Sequence, residues 1–112
     1  MKKIIGTLFL GAAFHLQAAT FEMVGTVEEI MLDKEETYRT YFKVTGTSSG
    51  DRPGCHANSQ WTFVVNDDSV MGQKMLSTLL TMNSTGKSGK FIGDGYCTGD
   101  TEKIKRIILG HQ

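Results

Sequence analysis

The chemistry open to this chain starts with two cysteines, Cys55 and Cys97, and three histidines. Thiolates and imidazoles are the usual zinc ligands, but Cys55, His56, Cys97 and His111 show no CxxC or HxxxH spacing. No metal site is expected from them. The same two thiols can pair with each other, and in an oxidising compartment only one intramolecular pairing exists. A Cys55–Cys97 disulfide would close a loop of about 42 residues. The freedom it removes from the unfolded chain is worth about 4 kcal/mol.

Catalytic arrangements fare worse. A Ser-His-Asp triad needs an imidazole beside its nucleophile. Beyond the N-terminal segment only His56 and His111 remain, and His111 stands second from the end. Both read as solvated surface residues. The acidic residues come as neighbours, Glu28-Glu29, Glu35-Glu36 and Asp67-Asp68. Adjacent residues on a strand point to opposite faces, so these are not acid/base pairs. Asp67-Asp68 reads as helix capping, and the Glu pairs as solubilising charge. Gly86-Lys87-Ser88 has the tail of a phosphate loop, but Thr81 stands where the motif's first Gly belongs. The triplet also follows a predicted helix, whereas a phosphate loop precedes one. Asn83-Ser84-Thr85 is a glycosylation sequon expected to be inert. No catalytic residue and no cofactor is expected, and the chain is not read as an enzyme.

Binding chemistry is better represented. Tyr41 is flanked along one strand face by Arg39 and Lys43, and aromatic, amide, hydroxyl and charged groups together are the usual lining of a sugar site. Tyr38, Tyr96 and the Ser/Gly-rich stretch from Thr47 to Arg52, with Ser49 and Arg52 as its polar contributors, could complete it. The candidate ligand-binding set is therefore Tyr38, Arg39, Tyr41, Lys43, Ser49 and Arg52. The competing reading packs Tyr38 and Tyr41 over the edge of the sheet. Trp61 alternates with Phe63 and Val65 and is assigned to the core. Nucleic acid is not an expected partner: 12 basic and 12 acidic residues give no net charge, and loss of Lys2 and Lys3 would make the remainder acidic.

That loss is expected because the N-terminus has the build of an export signal. Lys2 and Lys3 form a basic head, Ile4 to Phe14 is an apolar run of eleven residues broken by Gly6, Thr7 and Gly11, and Leu16-Gln17-Ala18-Ala19 ends in small residues. The run is short for a permanent bilayer span. Residues 1–19 are read as a signal peptide and 20–112 as one domain, periplasmic or secreted, with no membrane insertion after the signal is removed. A chain of 112 residues leaves room for one small core, of the size that commonly needs a staple.

The elements that must position these groups follow from periodicity and punctuation. Phe21 to Leu32 reads as one long curved strand, bent at Gly25, with a short helix over Glu28–Glu36 as the competing assignment. Asp33 to Thr37 is a charged turn. Tyr38 to Thr45 is a second strand with Thr40, Phe42 and Val44 facing the core and Arg39, Tyr41, Lys43 and Thr45 facing solvent. Gly46 to Gly54, with three Gly and the only Pro, reads as a loop. Gln60 to Val65 is a third strand. Ser69 to Asn83 is a helix carrying Met71, Met75, Leu76, Leu79 and Leu80, and Gly86 can end it. Lys90 to Ile92 starts a fourth strand, Gly93 to Cys97 is a tight turn, and Lys103 to Leu109 is the last strand. The order β-β-β-α-β-β predicts a mainly β fold with one helix and one disulfide: a five-stranded OB-fold-like barrel, with an open α+β sheet as the rival.

Several of these segments resemble the B subunits of bacterial pentameric toxins of the subtilase-cytotoxin and typhoid-toxin type. The similar stretch runs from Cys55 to Ile92, through WTFVV, GQKMLSTLLTMNSTGK and KFI. Gly86-Lys87, Gly93-Asp94-Gly95-Tyr96-Cys97 and Glu102 to Leu109 are also similar to a broader set of small exported bacterial proteins. The toxin resemblance implies an exported OB-fold that binds a cell-surface glycan or a protein partner, and a homo-oligomer. It carries no glycan-binding residue over to a numbered position here, and this chain is shorter than the toxin subunits. The alternative is a periplasmic structural or accessory protein without a ligand pocket.

Overall fold

The computed structural model describes residues 19–111. The expected signal segment, up to Ala18, lies outside the described residues, as does Gln112. Five strands and one helix follow in chain order: β1 Glu22–Leu32, β2 Arg39–Ser49, β3 Phe63–Asn66, α1 Val70–Thr85, β4 Ser88–Thr98 and β5 Thr101–Leu109. The strands close on themselves in the order β1-β2-β3-β5-β4. Neighbours in the sheet therefore depart from chain order, because β5 lies between β3 and β4. All joints are antiparallel except β3–β5, which is parallel and rests on the single pair Val64–Lys103.

β1 serves two partners. Glu22 to Thr26 pairs with both β2 and β4, whereas the second half pairs with β2 alone. The register slips between Val27 and Glu29, so Glu28 is the extra residue of a bulge. The bend expected at Gly25 thus lies three residues later, and the competing helix over Glu28–Glu36 does not form. Gly25 has a different task. It faces Gly46 across the β1–β2 ladder, and a Cβ on either one would run into backbone of the other strand.

Two glycine-rich segments read as loops are strand. Gly46 to Ser49 continues β2 against Gly25 to Glu22, so the loop proper starts at Gly50, in the left-handed region at φ 82°. Likewise Gly93 to Cys97 belongs to β4, with register shifts on either side of Gly93. In both cases long-range pairing overrides local turn propensity. The third strand is shorter than expected. Asn58 Oδ1 accepts the backbone N–H groups of Gln60 and Trp61, at 2.8 and 2.7 Å, and this local turn delays the ladder until Phe63.

The helix is capped as the sequence suggests. Ser69 Oγ accepts the N–H of Gly72 at 3.0 Å, and Gly86, at φ 73°, donates its N–H to the Met82 carbonyl. Its buried line is Gly72, Leu79 and Met82, with Met75 and Leu76 half-buried. Met71 and Leu80, placed on the core stripe by spacing, are 58% and 44% exposed. Gly72 turns the helix, because its Cα face lies against the Asn66 carbonyl and a side chain there would collide with it. Leu79 and Met82 cover a core of Val27, Phe42, Val44, Phe63, Val65, Phe91 and Ile104. The Phe42 ring lies 5.7 Å from Phe63 and 6.0 Å from Phe91.

Candidate functional site

Among the described residues a concavity lies where three segments meet: β1 from its bulge onward, Trp61 just before β3, and the last turns of α1. It has a volume of about 610 Å³ and is lined by Glu28 to Leu32, Trp61, Leu80 and Asn83. The bulge leaves the adjacent Glu28 and Glu29 both exposed, where a regular strand would turn one of them inward. Asn83 holds the bulge in place: its Nδ2 donates to the carbonyls of Val27 and Glu28, at 3.0 and 3.2 Å. The sequon residue therefore has a structural task that an attached glycan would disrupt. Glu28 is itself held by Lys43 Nζ at 3.8 Å and by the Thr45 hydroxyl.

Trp61 supplies the aromatic wall. It is half-buried, stands outside the core cluster, and its ring is tilted against Tyr41 with centroids 6.5 Å apart. The alternation with Phe63 and Val65 that assigned it to the core breaks at the Asn58 turn. Thr62 is buried in its place, accepting the Val44 N–H at 2.9 Å.

The six candidate ligand residues separate into two groups. Arg39, Tyr41 and Lys43 share the outer face of β2, beside Trp61, and Tyr38 precedes them. Tyr38 is 61% exposed and has φ 64°. Tyr41 is half-buried, with its hydroxyl 3.5 Å from Glu36, which also pairs with Arg39 at 3.4 Å. Ser49 stands at the far end of β2, opposite Glu22, whereas Tyr41 stands opposite Met31. Arg52 belongs to a different cluster altogether. Tyr96 is 70% exposed, with Lys103 Nζ 6.0 Å from its ring centroid, away from the groove lining.

Arg52 pairs with Glu102, a residue that sequence reading left in the last strand without a role. Glu102 has no solvent exposure. One carboxylate oxygen accepts from Arg52 at 2.9 Å and the other from the backbone N–H of Gly95 at 3.0 Å. The guanidinium carbon lies 3.8 Å over the Phe21 ring. His56 completes the cluster. Its Nδ1 accepts the backbone N–H of Glu102 at 3.0 Å, which requires a neutral ring with its proton on Nε2. Burial, and then the nearby Arg52 charge, hold His56 below the ordinary imidazole range. Burial also lowers Arg52, against the opposing pull of Glu102. Asp100 is held below the ordinary carboxylate range by hydrogen bonds from Asn58 and Thr101. His56 is thus not the solvated residue its position suggests.

Beside this cluster Cys55 and Cys97 form a disulfide, with Cα atoms 6.1 Å apart. The bond and the Arg52–Glu102 pair tie the segment before β3 to β4 and β5. Within the cluster both Glu102 carboxylate oxygens are hydrogen-bonded. Among the described residues no set of three His, Cys, Asp or Glu side chains is arranged to hold a metal, and no helix is long and apolar enough to cross a membrane. The sequence matches no family model, and no match was found to a curated protein or a solved structure.

Proposed function

We propose that this chain is an exported, non-enzymatic binding module on an OB-fold barrel, meeting a glycan or protein partner in the manner of a toxin B subunit. The OB-fold reading rests on the closed strand order β1-β2-β3-β5-β4 with the helix between β3 and β4. That fold commonly binds its ligands on the face of strands two and three. Tyr41 and Trp61 supply aromatic surface on that side of this barrel. Export is supported by the signal-like N-terminus and by a disulfide of the kind that persists in oxidising compartments.

The observation that carries the reading is the groove itself. Its volume of about 610 Å³ falls in the range of ligand sites, and it combines a half-exposed indole with carboxylate and amide groups. The test is to screen the oxidised protein on a glycan array and against envelope or cell-surface proteins, beside Trp61→Ala and Trp61→Phe. Saturable capture by the native protein, lost in Trp61→Ala and largely kept in Trp61→Phe, is the expected result. Equal capture by Trp61→Ala would remove the groove from the reading.

A further inference from the structure

The groove at Trp61 has a one-sided chemistry that specifies the ligand more narrowly than its shape does. Its charged lining residues are Glu28 and Glu29, both acidic. Lys43 reaches Glu28 at 3.8 Å. Glu29 stands opposite Lys43 in the ladder but has no ion pair among the described residues. Asn83 has spent its amide hydrogens on the Val27 and Glu28 carbonyls, so its Oδ1 is what remains to offer. With the Glu28 carboxylate engaged by Lys43 and the Thr45 hydroxyl, the lining offers the Glu29 carboxylate and the Asn83 Oδ1 as acceptors and the indole N–H of Trp61 as a donor. Ile30, Met31, Leu32 and Leu80 supply the apolar remainder.

A ligand that fits must bring hydrogen-bond donors and must not bring negative charge. We propose that the groove takes a glycan containing unacetylated hexosamine, in preference to sialylated or sulfated glycans; this rests on the glycan-binding reading above. A hexosamine supplies hydroxyl donors to several acceptors at once and an ammonium group to Glu29. Its C–H face can lie on the indole, and the cation gains further from the ring. A lysine side chain brings the same ammonium, but it has no hydroxyls for the remaining acceptors. A sialic acid carboxylate or a sulfate would sit against Glu29, and the facing cation, Lys43, is already paired with Glu28.

The test is isothermal titration calorimetry of the oxidised protein with four probes: a glucosamine tetramer, its fully N-acetylated form, 3′-sialyllactose and a lysine-rich peptide. The expected order places the glucosamine tetramer first and the N-acetylated tetramer about fivefold weaker, with sialyllactose unbound. Glu29→Gln should bring the first tetramer to the level of the second, since the variant removes a charge on an exposed side chain. Sialyllactose binding as tightly as the glucosamine tetramer would overturn the preference while leaving glycan binding intact. So would a Glu29→Gln variant that keeps the full preference, or a peptide that binds more tightly than the sugar. Binding of no sugar at all would overturn both.

Discussion

Glu102 shows how little a residue's own neighbourhood in sequence can say about its environment. In the run Thr101 to Lys105 it looks like one charge among several, and its counter-charge, Arg52, lies 50 residues away. Only barrel closure brings them together, so no local pattern could have indicated the pair. Arg52→Met would leave a fully buried carboxylate without its cation and should cost about 3 kcal/mol in urea denaturation. Adding Glu102→Gln to that variant should recover part of the loss, because the charge left unpaired is then gone. His56 makes the cluster sensitive to pH. Its folded pKa is lowered, so the unfolded chain takes up the proton first as pH falls. Its contribution is complete above the ordinary value of 6.5 and is lost as pH drops from there through the lowered folded value. Asp100 acts in the same direction at lower pH, as its carboxylate is protonated. Denaturation midpoints should therefore fall between about pH 7 and pH 5, and His56→Asn, which keeps an acceptor for the Glu102 N–H, should flatten that part of the profile.

At the scale of elements, the sequence was most legible where a residue's partner lies close along the chain. The Ser69 and Gly86 caps are read from single positions, and alternation places Thr40, Phe42 and Val44 inside, all nearly without exposure. It was least legible at glycines. Gly46 and Gly93 look like turn residues, but their lack of a side chain serves close approach of backbone or of the buried Glu102 carboxylate. The helix stripe was misread for a related reason: Gly72 faces inward because β3 ends too near to admit a side chain. The groove follows from the β1 bulge, which no hydrophobic pattern indicates. Asn83→Ala should release that bulge, at a cost of about 1 kcal/mol, and should weaken binding in the groove as well. Removing the disulfide with Cys55→Ser and Cys97→Ser should cost about 4 kcal/mol, measured by denaturation of the variant against the oxidised parent. Both cysteines should resist alkylation in the folded, unreduced protein.

At the scale of the molecule, a short barrel is closed by one brief parallel joint and fastened across that region by a disulfide and a buried ion pair. These tie the segment that carries Trp61 to the opposite strands. The sole tryptophan of the chain lies in the groove, so its fluorescence reports on that site alone. The most direct measurement is acrylamide quenching of Trp61 in the oxidised protein, with and without a saturating glycan or protein captured in the screen. The expected result is a clear fall in quenching on binding, as the partner covers the indole. Unchanged quenching at saturation would place the partner elsewhere on the barrel and contradict the assignment of this groove.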